Sequence, residues 1–221
     1  MSIVFLDIET IPAQAGWLSD WVAETIKPPK NITKAETLAK WEEDKATKVA
    51  DKVAGMAFDG IGCHIVAICA AINDGPIEKF YIDDVVNERM GLEKFYEFLR
   101  DNDVTNMKAN TFVGHNVLGF DLKILRQRSM LLGVQIPTII SIASQSKPWD
   151  TYVFDTMLRW DTREFTKLDL LAKAFGLEAQ KTMSGADVYP MWQAGKFQEI
   201  AEYCSQDVEV VRQLYQKMSD L

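Results

Sequence analysis

The stretch that decides the fold is an apolar run containing two acids, Val4-Phe5-Leu6-Asp7-Ile8-Glu9-Thr10. Its composition predicts a buried β-strand near the N-terminus. Because side chains alternate along a strand, Asp7 and Glu9 should lie close together on one face. Burying two like charges is unfavourable unless a cation compensates, and carboxylate oxygens suit Mg²⁺ or Mn²⁺. The pair therefore indicates a metal site, although an edge strand with a solvated acidic face would show the same pattern.

Composition restricts the class of protein. The chain has 221 residues, 48% of them hydrophobic, which is enough for one large domain or two small ones with a proper core. No stretch is long and apolar enough to cross a membrane, and strand residues begin at once, so we expect neither a membrane protein nor a signal peptide. Three cysteines without a C-x-x-C pair predict reduced thiols in a cytoplasmic protein, and only two histidines argue against zinc.

The formal net charge of −8 at first disfavours a nucleic-acid partner. This objection weakens if several acids are metal ligands, because bound cations reverse the local sign of the charge. Local basic clusters also exist, for example Lys123, Arg126 and Arg128. Such a cluster is either a phosphate-binding site or, more commonly, a solvated helix face.

Periodicity and turn residues predict alternating strands and helices after the first strand. The predicted elements are a helix at Trp17–Ile26, a charged helix from a Thr33/Glu36 capping box to about Val53, strands at His64–Ile72 and Ile77–Ile82, a helix at Gly91–Arg100, a strand at Thr111–Gly114, a helix at Leu122–Leu132, a strand at Tyr152–Met157, and helices at Leu168–Phe175 and Lys196–Met218. This order predicts an α/β fold, a mixed sheet covered by helices in one domain. The segment 17–53 is either a helical insertion or a lid.

Three further polar residues accompany the Asp7–Glu9 pair. Asp121 begins a predicted helix, where it is either an ordinary N-cap or an ionised carboxylate favoured by the helix dipole. Tyr203 and Asp207 are four residues apart in the last helix and therefore share one face, beside its apolar stripe. Four acids in total could hold two metal ions and clamp a phosphodiester. Taken singly, Asp207 is better explained as a surface residue beside a half-buried tyrosine.

Three motifs together resemble those of a known family. They are Phe5-Leu6-Asp7-Ile8-Glu9-Thr10, Gly114-His115-Asn116-Val117-Leu118-Gly119-Phe120-Asp121 and Tyr203-Cys204-Ser205-Gln206-Asp207. Their order and separation resemble the exonuclease motifs of the DEDD superfamily, most nearly the proofreading 3′–5′ exonuclease domain of B-family DNA polymerases and its stand-alone relatives. The resemblance implies a ribonuclease H-like fold, a mixed five-stranded sheet flanked by helices. It covers nearly the whole of a single domain, 1–221, from which the helical insertion after the first strand departs.

The same resemblance implies roles for individual residues. It implies that two Mg²⁺ or Mn²⁺ ions are held by Asp7, Glu9, Asp121 and Asp207. The superfamily divides according to the residue that orients the attacking water, either a histidine five residues before the last aspartate or a tyrosine four before it. This chain has Glu202 and Tyr203 at those positions and so resembles the tyrosine branch.

Four more residues match positions that contact the strand in relatives. They are Thr10, Ile11, Asn116 and Phe120. An apolar or aromatic contact at a frayed 3′ end is physically reasonable, since base stacking tolerates any sequence. Core packing or turn chemistry explains the last three of these residues equally well.

The implied function is a metal-dependent 3′–5′ exonuclease that acts on single-stranded DNA 3′ ends and releases nucleoside 5′-monophosphates. The alternatives are a 3′–5′ exoribonuclease on the same scaffold and a catalytically silent nucleic-acid-binding module; a phosphatase with an Asp-x-Asp pair fits less well, because Glu9 occupies the second position. No polymerase domain follows before Leu221. We therefore expect the protein to act alone or with a separate DNA polymerase or other replication protein.

Overall fold

A computed structural model describes residues 2–105, 110–177 and 183–219. Its strands are β1 (Ser2–Pro12), β2 (Cys63–Ile72), β3 (Glu78–Tyr81), β4 (Asn110–Gly114) and β5 (Val153–Asp155). Its helices are α1 (Gly16–Thr25), α2 (Ala35–Glu43), α3 (Lys45–Gly55), α4 (Glu88–Asp101), α5 (Asp121–Leu132), α6 (Thr138–Ala143), α7 (Thr156–Trp160), α8 (Leu168–Ala174), α9 (Gly185–Gln193) and α10 (Phe197–Ser219). No helix within these described ranges is long and apolar enough to cross a membrane.

The five strands form one mixed sheet in the order β3-β2-β1-β4-β5. The hairpin strands β2 and β3 pair antiparallel, as do β1 and β2, whereas β1–β4 and β4–β5 are parallel. The register of the β1–β2 pairing shifts between Glu9 and Thr10, immediately after the acidic pair. The predicted five-stranded mixed sheet flanked by helices is therefore confirmed, and β1 lies at its centre.

Two apolar layers cover the two faces of the sheet. Val4, Leu6 and Ile8 belong to the layer that also contains α4, α5 and α6. Phe5 belongs to the opposite layer, whose largest contribution is the apolar stripe of α10. Because Asp7 and Glu9 alternate with Leu6 and Ile8, they face the same side as Phe5, toward α10. The strand pattern thus determines which helix meets the acids.

The segment between β1 and β2 differs from its prediction in two ways. The residue before the first turn of α2 is Lys34, and no side chain caps that helix end, so the expected Thr33/Glu36 capping box is wrong. The expected long helix is also divided at Asp44 into α2 and α3. The second of these helices, α3, packs on α1 through a small separate apolar cluster formed by Leu18, Val22 and Val53.

Other differences have local causes. The strand expected to reach Met157 ends at Asp155, because that carboxylate accepts the backbone N–H groups of Met157 and Leu158 and starts α7. Two short helices, α6 and α9, have no strong periodic signal, and α9 contains Pro190.

Gly133 and Gly176 follow their helices with positive φ angles of 65° and 72°, as a left-handed C-terminal residue requires.

A buried ion pair joins α4, α5 and the start of β2. The Glu88 side chain is 0% exposed and accepts two hydrogen bonds from Arg128, at 2.8 and 2.6 Å. It also accepts the backbone N–H of Ile65 and lies 2.8 Å from His64 Nδ1. Burial by itself would raise the pKa of Glu88, but the hydrogen bonds from His64 and Arg128, with the Arg128 charge, lower it below its ordinary value of 4.5.

We predict that Glu88→Gln lowers the free energy of unfolding by about 3–5 kcal/mol near pH 7, because it leaves the Arg128 charge buried without a counter-charge. The folded-state pKa of Glu88 is depressed, so its stabilisation is present above the unfolded-state pKa and is lost as the pH falls through the folded-state pKa. The difference between wild type and variant should therefore shrink below about pH 4.5. Urea unfolding followed by tryptophan fluorescence from about pH 7 to about pH 3 measures it.

The matched control is Glu97→Gln, an exposed acid on the same helix. This control should change the free energy of unfolding by no more than about 0.5 kcal/mol. A Glu88→Gln protein as stable as wild type near neutral pH would contradict the assignment of this pair as an anchor.

Candidate active site

Three carboxylates meet above the centre of the sheet. Asp7 and Glu9 project from β1 and Asp207 projects from α10, which packs on that face. Each offers one oxygen atom, and these three atoms lie within 4.8 Å of one another. A group this compact can hold a divalent cation, and its all-oxygen donor set fits Mg²⁺ or Mn²⁺.

Asp121 lies beside this group without belonging to the compact set of three. It is the first residue of α5 and is buried, and its Oδ1 accepts the backbone N–H of Ile8 at 2.9 Å. Since Ile8 separates Asp7 from Glu9, this bond fixes Asp121 against the acidic part of β1. The side chains of Asp7, Glu9 and Asp121 line the same cleft.

Burial and crowding together raise the pKa values of two of these acids, Glu9 and Asp121. For Glu9 the largest cause is burial, followed by the charges of Asp7 and Asp207. For Asp121 burial again comes first and the charge of Asp7 second, while the Ile8 N–H opposes the increase. Like charges in a poorly solvated site repel one another, and a divalent cation would remove that repulsion. The raised pKa values therefore favour the same kind of ligand as the all-oxygen donor set, a divalent cation.

Tyr203 lies one turn before Asp207 on α10 and is almost fully buried. Its hydroxyl hydrogen-bonds to the Asp207 side chain. Burial, followed by the charges of Glu9, Asp207 and Asp7, raises the pKa of Tyr203 above its ordinary value. The phenol therefore stays protonated near neutral pH. Its O–H donates a hydrogen bond to Asp207, so an oxygen lone pair remains available to accept a hydrogen bond from another group.

Three of the four expected strand-contacting residues line the cleft beside the acids. They are Thr10, Asn116 and Phe120, in a cleft of about 760 Å³. The structure does not bring Ile11 there: its side chain is 0% exposed and packs in the α10-side core layer. Ile11 lies on the same face of β1 as Phe5, Asp7 and Glu9, as alternation requires, but the core layer on the α10 side of the sheet covers it.

Asp155 is a residue of this region for which the sequence analysis assigned no role. It is fully buried, and its carboxylate accepts backbone N–H groups from Asn116 and Leu118 as well as from the first turn of α7. These bonds hold the loop between β4 and α5, including Asn116 with its positive φ of 60°. An aspartate at a strand end before Thr-Met-Leu is an N-cap signal, but nothing in the sequence shows its second set of partners.

Aromatic residues outside the motifs also line the cleft. Phe58 and Phe165 lie in irregular segments and are 69% and 67% exposed, and Tyr189 lies on α9. Sequence reasoning missed Phe58 and Phe165 because residues in loops carry no periodic signal, and it missed Tyr189 because it did not predict α9. They give the cleft an apolar wall in addition to the acids that line it.

Comparisons with known proteins agree with this geometry. Residues 61–221, well over half of the chain, match the family model described as a predicted 3′-5′ exonuclease related to the exonuclease domain of PolB. The matched region contains Asp121, Tyr203 and Asp207 and begins after β1 and the helical segment. No curated protein matches the chain.

A solved structure shows the same fold. The chain is similar to the family B DNA polymerase from the hyperthermophilic archaeon Pyrobaculum calidifontis, with a TM-score of 0.59 and 18% sequence identity. The similarity covers 99% of this chain and 24% of the polymerase chain, so the present chain spans about a quarter of that protein's length. On the strength of the sequence match, the chain belongs to the family of predicted 3′-5′ exonucleases related to the exonuclease domain of PolB.

Proposed function

We propose that this protein is a metal-dependent 3′–5′ exonuclease that removes nucleotides from single-stranded DNA 3′ ends and releases nucleoside 5′-monophosphates. The observation that carries the proposal is the meeting of Asp7, Glu9 and Asp207 within 4.8 Å, with the Tyr203 hydroxyl bonded to the last of them. The family match supports the same reaction class. We further propose that the chain forms one exonuclease domain, because its five strands make a single sheet.

The residues that would hold two Mg²⁺ or Mn²⁺ ions are Asp7, Glu9, Asp121 and Asp207. When bound, such ions lower the pKa of a water molecule and stabilise negative charge on phosphate oxygens. The carboxylates must be ionised to act as ligands, so metal binding and proton release are linked. The raised pKa values of Glu9 and Asp121 mean that this linkage reaches above the ordinary carboxylate range.

Tyr203 is proposed to position the attacking water. Its O–H donates a hydrogen bond to Asp207, so its oxygen is available to accept a hydrogen bond from the water. That second hydrogen bond fixes the direction in which the water attacks the phosphorus. A phenol with a raised pKa is a poor base near neutral pH, which assigns Tyr203 an orienting role and not that of a proton acceptor.

The cleft fits a single strand end. Thr10, Asn116 and Phe120 line it next to the acids, and Asn116 and Phe120 are held by the loop that Asp155 fixes. A terminal nucleotide placed there would have its phosphate near the carboxylates and its base against the apolar wall. We propose that such ends reach the protein free in solution or from a separate DNA polymerase.

We predict that Asp7→Ala abolishes hydrolysis, with kcat/KM reduced by at least about 10³-fold, because the remaining acids no longer form the compact donor set. Stepwise shortening of a 5′-labelled single-stranded oligodeoxynucleotide in Mn²⁺, followed on a gel, measures this loss. Mn²⁺ binding measured by calorimetry should be weakened in the same variant. A matched RNA strand in the same assay tests the exoribonuclease alternative.

The control is Asp101→Asn, which removes an exposed acid at the end of α4, in the layer on the other face of the sheet. This variant should keep wild-type activity. An Asp7→Ala protein that still releases mononucleotides would remove the assignment, and Mn²⁺ binding without turnover in wild type would instead favour a silent binding module.

A second prediction separates positioning from metal binding. Tyr203→Phe keeps the buried ring but removes the hydroxyl, so kcat should fall by roughly 10²-fold while Mn²⁺ affinity changes little. Steady-state kinetics and calorimetry on the same preparation give the two numbers. Equal loss of metal affinity and of kcat would show that Tyr203 acts through the carboxylates and not on the water.

A further inference from the structure

The turn at 57–62 joins the helical segment to the active site. It follows α3 and is attached to α5 by four hydrogen bonds. Lys123 Nζ donates to the Phe58 carbonyl at 2.8 Å, Gln127 Nε2 donates to Asp59 Oδ2 at 3.4 Å, the Gly60 N–H donates to Gln127 Oε1 at 2.9 Å, and Arg128 Nη1 donates to the Gly60 carbonyl at 2.8 Å. The Thr10 hydroxyl of β1 reaches the Ala57 carbonyl at 3.4 Å. Two members of the basic cluster noted in the sequence are therefore structural contacts to this turn.

Close packing also holds the turn in place. A Cβ atom on Gly60 would lie 2.5 Å from Gln127 Cβ, so the turn backbone lies directly on α5. Arg128 is itself fixed by the buried Glu88. Since α5 begins at Asp121, the turn is fixed relative to the acids by one helix. The 57–62 turn is thus part of the rigid cleft wall and not a loose connection.

This rigid turn presents an exposed aromatic ring to the cleft. The Phe58 backbone carbonyl is bonded to Lys123, yet its side chain is 69% exposed and lines the cleft together with Asp7 and Phe120. The Phe58 and Phe120 ring centroids are 6.1 Å apart and the rings are tilted by 59°. That distance is an aromatic pair contact with no room for a base between the rings. Phe120 therefore supports Phe58 from one side and leaves the rest of the Phe58 ring open.

We propose that Phe58, supported by Phe120, is a base-stacking subsite for an unpaired base within the last three nucleotides of the strand, a proposal that rests on the proposed function. An aromatic ring stacks on any base, so the subsite adds affinity without sequence preference. A base in a duplex is already stacked and paired, so the contact selects frayed or single-stranded ends. The helical segment thereby becomes one wall of the substrate cleft.

The test is a double-mutant cycle in which the Phe58 ring and one base of the substrate are removed separately and together. Wild type and Phe58→Ala are compared on a single-stranded oligodeoxynucleotide and on three versions carrying an abasic residue at each of the last three positions. On the complete strand, Phe58→Ala should lower kcat/KM by roughly 5- to 100-fold, mainly through KM. For one abasic position the two proteins should agree within about twofold, because the ring has no partner there. Phe58→Tyr should keep wild-type kinetics.

The controls and outcomes separate this proposal from the assignment of the activity. Trp149→Ala removes an aromatic residue that is also 69% exposed but does not line this cleft, and it should have no effect on kcat/KM. Because the Phe58 ring is exposed, its removal should leave the melting temperature unchanged. Equal kcat/KM for Phe58→Ala and wild type, or an equal loss on every abasic strand, overturns the stacking subsite while the nuclease assignment stands. Absence of hydrolysis by wild type on all strands overturns both.

Discussion

Repulsion among carboxylates crowded onto one face of the sheet is the constraint on which the rest of the structure depends. Asp7, Glu9 and Asp207 converge within 4.8 Å, and Asp121 lies against the same strand. Burial first, and then this repulsion, raises the pKa values of Glu9 and Asp121. Such an arrangement is unfavourable for stability by itself. A divalent cation bound between the carboxylates would make it favourable, which is why we propose metal-dependent chemistry at this site.

The surrounding structure keeps the acids from moving apart. β1 is the central strand and is paired on both sides, with β2 and β4. The other two acids belong to helices, and Asp155 fixes the loop that leads into α5 through backbone hydrogen bonds. Behind the site, the Glu88–Arg128 pair ties that same helix to α4 and to the turn that carries Phe58. Rigid elements on all sides give the preorganisation that a metal site requires.

Much of this arrangement could be predicted from the sequence, because it follows from periodicity. The alternation of β1 placed Asp7 and Glu9 on one face, and the four-residue step from Tyr203 to Asp207 placed those two together on α10. What periodicity could not supply were contacts between distant irregular segments. Phe58, Phe165 and the second set of Asp155 partners depend on how loops pack, and alternation alone does not show that Ile11, on the same face as Asp7 and Glu9, is covered by the core layer on the α10 side. The capping box at Thr33 was also wrong, since α2 begins after Lys34 without a side-chain cap and the expected helix is divided at Asp44.

The central claim is that Asp7, Glu9 and Asp207, with Asp121 beside them, form one divalent-metal site. X-ray diffraction from crystals soaked in Mn²⁺, recorded at the manganese absorption edge, tests it most directly. The account predicts anomalous scattering peaks bounded by the side chains of Asp7, Glu9 and Asp207. Manganese bound elsewhere on the protein, with no peak between these carboxylates, would contradict it.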